Sequence, residues 1–141
     1  MQQQHYERAI ADYLEALSLT QKDIKLTIML LLRLGNAYDA MQQYTESIER
    51  YRQALKLNIQ DARSHYYLAV ALEKMGYASQ ALTEYSHTIR LDPEHIGAYV
   101  NRGNMFMTLG RVKEARQDYA VFFVLTSSES ASDTEELRQY V

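Results

Sequence analysis

Four histidines are the side chains best suited to metal binding or general-base work in this 141-residue chain: His5, His65, His87 and His95. Their spacing serves neither purpose, because no two lie three or four residues apart and no helical turn can present a pair of imidazoles to one ion. Cysteine is absent, which excludes thiolate ligands, a cysteine nucleophile and a disulfide framework. The carboxylates Glu46, Glu49, Glu73 and Glu84 read as solvated helix faces. Glu135 and Glu136 fall where a first helical turn favours negative charge. Asn36 and Asn104 each follow a glycine, yet nothing resembles a glycine-rich phosphate loop. The reading is therefore no catalytic residue, no metal and no cofactor, with His65 a partly buried packing residue. What remains is contact chemistry. Tyrosine and arginine are favoured at binding hot spots, and asparagine offers donor and acceptor together to an extended peptide backbone.

Composition sets the frame that must position such residues. Apolar residues make up 47%, enough for a core, and charged residues 23%. The formal net charge of -3 supplies no field for nucleic acid or an acidic membrane, so no nucleic acid partner is expected. The longest apolar run, Ile28 to Leu32, ends at Arg33 and is far too short to span a bilayer, so no membrane insertion is expected. The polar opening Met1-Gln2-Gln3-Gln4-His5 does not read as a secretory signal, and with no cysteine it suggests a cytoplasmic protein. One proline and five glycines favour long helices over sheet.

The helices recur with a fixed step. Gly35, Ala69 and Gly103 are 34 apart (69−35 and 103−69). The same step relates Met41, Met75 and Leu109; Ser47, Ala81 and Ala115; Tyr51, Tyr85 and Tyr119; and Leu57, Leu91 and Leu125. An insertion would destroy this phase, so three units run without a gap from Ile28 to about Glu129. Small and large residues in this order, at this period, resemble the tetratricopeptide-repeat (TPR) family. Leu31, His65 and Tyr99 stand in the family's tryptophan place. Ser47-x3-Tyr51, Ala81-x3-Tyr85 and Ala115-x3-Tyr119 fill the second helix, and Pro93 takes the proline place of the middle unit. Ile59 and Ser127 replace proline in the other two.

The resemblance implies an all-α, right-handed α-solenoid of antiparallel helix pairs. The small residues let paired helices approach, and stacking supplies the core that one hairpin cannot. The division expected is a partial repeat over residues 4–23, a first full repeat over 24–61, a second over 62–95, a third over 96–129 and a capping helix over 130–141. Tyr6, Ala9, Tyr13, Ala16 and Leu19 match a second helix whose first helix is missing. Ala9 to Ser47 is 38 residues (47−9), so about four are inserted, and an extended first helix starting at an Asp23 cap is expected. Ser127 to Ser132 reads as a polar connection. Ser132-x-x-Glu135 then reads as a capping box before a helix whose Leu137, Tyr140 and Val141 cover Phe122 or Phe123.

In the architecture so implied, the first helices line a concave groove. The residues expected to face it are Arg33, Asn36 and Asp39, with Leu32, in the first unit. In the second they are Arg63, Tyr66, Tyr67, Val70 and Glu73, with Lys74. In the third they are Asn101, Asn104 and Met107, with Val100. The function implied is that of a protein–protein interaction scaffold gripping a partner peptide or helix. The family's clamp for chaperone C-terminal tails does not fit. Asn36 matches one of its places, while Leu32, Tyr67, Gly97 and Asn101 occupy the other four. The asparagine ladder of the glycosyltransferase-type relatives fails too, with Arg33, Tyr67 and Asn101 on its rungs. A second reading is a homo-oligomer or a piece of a larger scaffold, joined through an N-terminal apolar flank around Ile10, Tyr13 and Leu17.

Overall fold

The computed structural model describes residues 2–20 and 22–138, with side chains through residue 128. Seven helices follow one another: α1 (Gln2–Leu19), α2 (Ile24–Ala40), α3 (Tyr44–Leu57), α4 (Ala62–Lys74), α5 (Ala78–Leu91), α6 (Ile96–Thr108) and α7 (Val112–Arg138). No strand occurs among the described residues. Each helix packs on its neighbours in sequence, and α2 also meets α4 directly. That order of contacts belongs to a solenoid, in which each unit touches the next.

Local chemistry fixes the helix ends. Asp61 and His95 lie 34 residues apart (95−61) and cap α4 and α6. Asp61 accepts from the Ser64 amide at 3.2 Å, and His95 Nδ1 accepts from the Ala98 amide at 3.1 Å. Thr27 holds the same place in the first unit (61−27) but does not cap. Its hydroxyl bonds the carbonyls of Asp23 and Thr20 at 2.7 and 3.0 Å. Asp23 caps instead, accepting from the Leu26 amide at 3.1 Å, so α2 begins one turn earlier than its counterparts.

The tight turns repeat as well. Gln42, Gly76 and Gly110 all have positive φ, at 61°, 82° and 75°. The next residue's amide then bonds back to the preceding helix: Gln43 to Tyr38, Tyr77 to Leu72 and Arg111 to Phe106, at 2.8–2.9 Å. Two of the three positions are glycine, which enters this region without a Cβ penalty; Gln42 enters it with one.

The buried interior joins consecutive units through Leu31, Tyr51, Ala54, Leu68, Ala69, Leu72, Ala81, Tyr85 and Ala98. The expected close approaches are there. A Cβ on Gly35 would lie 2.4 Å from Tyr51 Cε1, and one on Gly103 would lie 2.8 Å from Tyr119 Cε1.

Both ends depart from expectation. The serine-rich stretch makes no break, and α7 runs on to Arg138 as one helix. No glycine or proline interrupts it. Hydroxyls near the start of the stretch are satisfied inside the helix, Thr126 bonding the Phe122 carbonyl and Ser128 the Leu125 carbonyl, both at 2.9 Å. The side chains of Leu137, Tyr140 and Val141 lie outside the described residues, and Phe123 stands exposed. At the other end Ile10, Tyr13 and Leu17 are not an open flank. All three are half-buried, and Leu17 packs on the core beneath it. The exposed apolar residues there are Leu14, Leu19 and Ile24.

Candidate functional site

The first helices α2, α4 and α6 carry every residue expected in the groove; Leu32 is buried, and burial divides the main candidates into two groups. Arg33, Asn36, Arg63, Asn104 and Met107 are exposed. Asp39, Tyr66, Tyr67, Val70, Glu73 and Asn101 are half-buried and engaged with their neighbours.

Two asparagines are held by tyrosines from the paired helix. Tyr51 donates its hydroxyl to Asn36 Oδ1 at 2.6 Å, and Tyr119 donates to Asn104 Oδ1 at 2.6 Å. Each tyrosine lies over the glycine just before its asparagine, so Gly35-Asn36 and Gly103-Asn104 form one repeated device. With the carbonyl oxygen occupied, each amide offers its N–H donors outward. The middle unit is built differently. Val70 stands where the asparagine would be and cannot accept, so Tyr85 donates to Glu73 Oε2 at 2.6 Å, one turn further along α4. Burial raises the Tyr51 and Tyr85 phenols well above the usual range, helped by the nearby carboxylates of Asp39 and Glu73 respectively, so both remain hydrogen-bond donors.

The remaining polar groups tie successive units together. Lys74 Nζ meets Asp39 Oδ2 at 2.7 Å, an ion pair between α4 and α2. Asn101 Nδ2 donates to the Tyr66 hydroxyl at 3.2 Å. Tyr66 fits there because residue 97 is glycine: a Cβ at that position would come 2.9 Å from its hydroxyl. Burial raises the Tyr66 phenol, with the Asn101 hydrogen bond opposing. The Tyr66 ring also lies 4.4 Å from His95, and Tyr67 stacks on Tyr51 at 5.8 Å, centroid to centroid. Sequence reasoning placed these residues on the right helices. It did not see that half of them are spent on holding the repeats in register.

Two depressions open on this side. One of about 370 Å³ is lined by Met29, Leu32, Arg33, Asn36, Arg63 and Tyr67. Another of about 300 Å³ adjoins it and shares Arg33 and Asn36, with His5, Tyr6, Ala9 and Tyr13 of α1 on its far wall. Leu32 is a buried floor here rather than a projecting side chain. Met29 was missed, although it lies 34 residues before Arg63 (63−29) and the repeat alone would have placed it. A larger depression of about 480 Å³ lies between α5, α6 and α7 and shares no residue with the expected groove. Its charges are already matched. Arg102 grips the buried Asp118 with two bonds of 2.8 and 2.7 Å, and Arg111 pairs with Glu114.

The histidines do not converge on a metal. Among the described residues no cluster of three His, Asp or Glu side chains could hold one. His65 in the tryptophan place is more buried than expected, at 3% exposure. Both its ring nitrogens have oxygen partners, Nδ1 at 2.6 Å from Glu84 Oε2 and Nε2 at 2.7 Å from the Ile59 carbonyl. Two such partners suit the imidazolium, which donates twice. Burial opposes the charge, but the Glu84 and Ile59 hydrogen bonds outweigh it and raise the His65 pKa. Among the described residues no helix is long and apolar enough to cross a membrane.

Comparison with known proteins agrees with this architecture. A TPR repeat family model matches residues 35–76, and a tetratricopeptide repeat model matches residues 96–120. The chain is similar to the Hsp70-Hsp90 organizing protein of Triticum aestivum, at 28% identity over 85 residues, 60% of this chain and 15% of that protein. It is also similar to the protein O-mannosyl-transferase Tmtc3 of Drosophila melanogaster, at 27% identity over 94 residues, 67% of this chain and 10% of that protein. The chain thus spans only a small part of these relatives' length. Among solved structures, a MamA double mutant superposes with a TM-score of 0.80 at 21% identity, covering 90% of this chain and 69% of that one. The second TPR of Spaghetti (RPAP3), bound to an HSP90 peptide, gives 0.67 at 24% identity, covering 79% and 98%. At these identities the structural likeness speaks for the fold.

Proposed function

We propose that this tetratricopeptide-repeat protein is an interaction scaffold that receives a partner peptide or helix in the groove lined by α2, α4 and α6. One observation carries the reading. The polar residues that reach solvent there, Arg33, Asn36, Arg63 and Asn104, include two amides locked from behind by tyrosines. A surface whose donors are already oriented loses little side-chain freedom when a ligand arrives. The repeat division given by the sequence, with full units over 24–61, 62–95 and 96–129, is the framework of this proposal. Binding rather than chemistry of its own, in a cytoplasmic setting, belongs to the same reading. The experiment is site-specific photo-crosslinking in cells. A crosslinker at Asn36 or Asn104 should trap discrete partners that one at Arg52 or Lys56, on α3, does not. Equal trapping from both faces would refute the groove reading.

The partner we propose is not a chaperone C-terminal tail, although structural neighbours carry an HSP90 peptide. Leu32 is buried, Tyr67 is stacked on Tyr51 and residue 97 is glycine, so three of the clamp's places lack a charge or amide to offer. Fluorescence anisotropy with the peptide SRMEEVD should show no gain in affinity from its free C-terminal carboxylate over the same peptide with an amidated end. The exposed Leu14, Leu19 and Ile24 favour a second reading, self-association through the N-terminal end. Sedimentation over a wide concentration range tests it, with Leu14→Glu and Leu19→Glu expected to abolish any dimer. A strictly monomeric parent chain removes it.

A further inference from the structure

The depression shared by α2 and α4 has an unbalanced inventory. Arg33 is exposed and has neither ion pair nor hydrogen bond among the described residues. Arg63 has one carboxylate nearby: Asp61 Oδ1 lies 3.6 Å from its Nε, a long ion pair without a hydrogen bond, while Asp61 Oδ2 caps α4 through Ser64. Asn36 presents amide donors, because its oxygen accepts from Tyr51. The Tyr67 hydroxyl has no hydrogen-bond partner among the described residues. Asp39, the acid one turn along α2 from Asn36, is turned to Lys74. Four donors, two of them cationic, therefore surround one hollow whose apolar lining is the exposed Met29 and the buried Leu32. This cationic spot sits on a chain of net charge -3.

We infer that this hollow is a docking subsite for an acidic side chain, Asp or Glu, within an extended peptide whose neighbouring apolar residue rests on Met29 and Leu32. The inference rests on the groove reading above and adds the chemistry of the occupant. A basic segment would be repelled. A segment without charge would cover two guanidinium groups and leave them short of partners, which costs more than leaving them in water. A carboxylate satisfies both cations and accepts from Asn36 and Tyr67 as well. The carboxylate belongs to a side chain rather than to a chain end because the groove does not stop here. Arg33 and Asn36 also line the adjoining hollow toward α1, so a peptide held at this point has a path onward.

The test uses the full chain and a displayed library of random decapeptides with fixed flanks, so that no free terminus is offered. Selected peptides should carry Asp or Glu beside Leu, Ile, Met or Phe. The strongest, resynthesised with blocked ends and a fluorophore, should lose about tenfold or more in affinity when its acid becomes the amide. Arg33→Gln with Arg63→Gln should cause a similar loss, and combining it with the amide peptide should add little. Both arginines are exposed, so an unchanged thermal melt will confirm that the variant is folded. Three results would overturn the inference. In the first, groove-binding peptides emerge without acids, which leaves the groove reading standing. In the second, acidic peptides bind the arginine variant equally well and crosslink to α3 or α5, which removes the groove reading too. In the third, free-ended peptides bind far more tightly than blocked ones, which assigns the hollow to a terminal carboxylate.

Discussion

Replacing Gly35 by alanine sets two known effects against each other. Alanine in a helix interior is favoured over glycine by about 1 kcal/mol, so an unobstructed site would be stabilised. Here the new Cβ would sit 2.4, 2.8 and 2.9 Å from Tyr51 Cε1, Cδ1 and Cζ. Those are ring atoms of a side chain only 2% exposed, not the free end of a flexible chain. The ring must shift, and the shift pulls its hydroxyl from Asn36. Overpacking costs about 1–3 kcal/mol, and loss of the hydrogen bond about 0.5–1.5 kcal/mol. The clash wins, and a net loss of roughly 1–3 kcal/mol is expected. The middle unit shows how the chain accommodates that methyl group: Ala69 is paired with Val70 and Glu73, and Tyr85 bonds the glutamate. Because Asp39 is the counterpart of Glu73 (73−39 is 34), Gly35→Ala with Asn36→Val and Asp39→Glu should recover much of the loss. Urea melts followed by circular dichroism at 222 nm compare the three proteins, with whole curves analysed because repeats need not unfold in one step. If Gly35→Ala is as stable as the parent or more so, helix propensity has prevailed and the close approach is not what the glycine is for.

Gly103→Leu should be worse than Gly35→Ala, because a whole isobutyl group must enter where a Cβ alone would lie 2.8 Å from Tyr119; an unchanged melt would contradict the phase assigned to the repeats. Gln42→Gly should stabilise by about 1 kcal/mol, since it relieves a non-glycine residue at φ 61°, and a lower urea midpoint would show that the Gln42 side chain matters more. Asp118→Ala should cost roughly 1.5–3 kcal/mol by stripping Arg102 of a buried two-bond partner, read from the same melts. The pH dependence has a definite sign. His65 has a raised pKa in the folded chain, so its stabilising contribution is complete below about pH 6.5, the unfolded value, and is lost as pH rises through the folded value. Urea midpoints of the parent should therefore fall toward alkaline pH relative to those of His65→Phe, and parallel profiles would show that the Glu84 contact does not hold the proton.

The sequence by itself determined the helical class, the pairing of α2 with α3, α4 with α5 and α6 with α7, and the turns between them. A 34-residue step repeated through glycine, alanine and tyrosine leaves one arrangement in which small residues meet large ones. Capping and turn positions follow locally, as at Asp23, Gln42, Gly76 and Gly110. The same step placed Arg33, Asn36, Arg63, Asn104 and Met107 on the first helices, where the structure has them exposed. What the linear pattern could not show is which polar groups are already engaged. Asn36 and Asn104 look like free amides until Tyr51 and Tyr119 reach them from the paired helix, 15 residues away in sequence. Asp39 looks like a groove acid until Lys74 arrives from the next unit, 35 residues on. The serine run looked like a break because serine often starts helices, yet α7 runs through it, with the Ser128 hydroxyl bonded to the Leu125 carbonyl. Periodicity is a property of each helix alone, so sequence reveals it. Hydrogen-bond partnership and net local charge are properties of pairs brought together by stacking. Only the tertiary structure could therefore decide that Arg33 is left without a partner among the described residues.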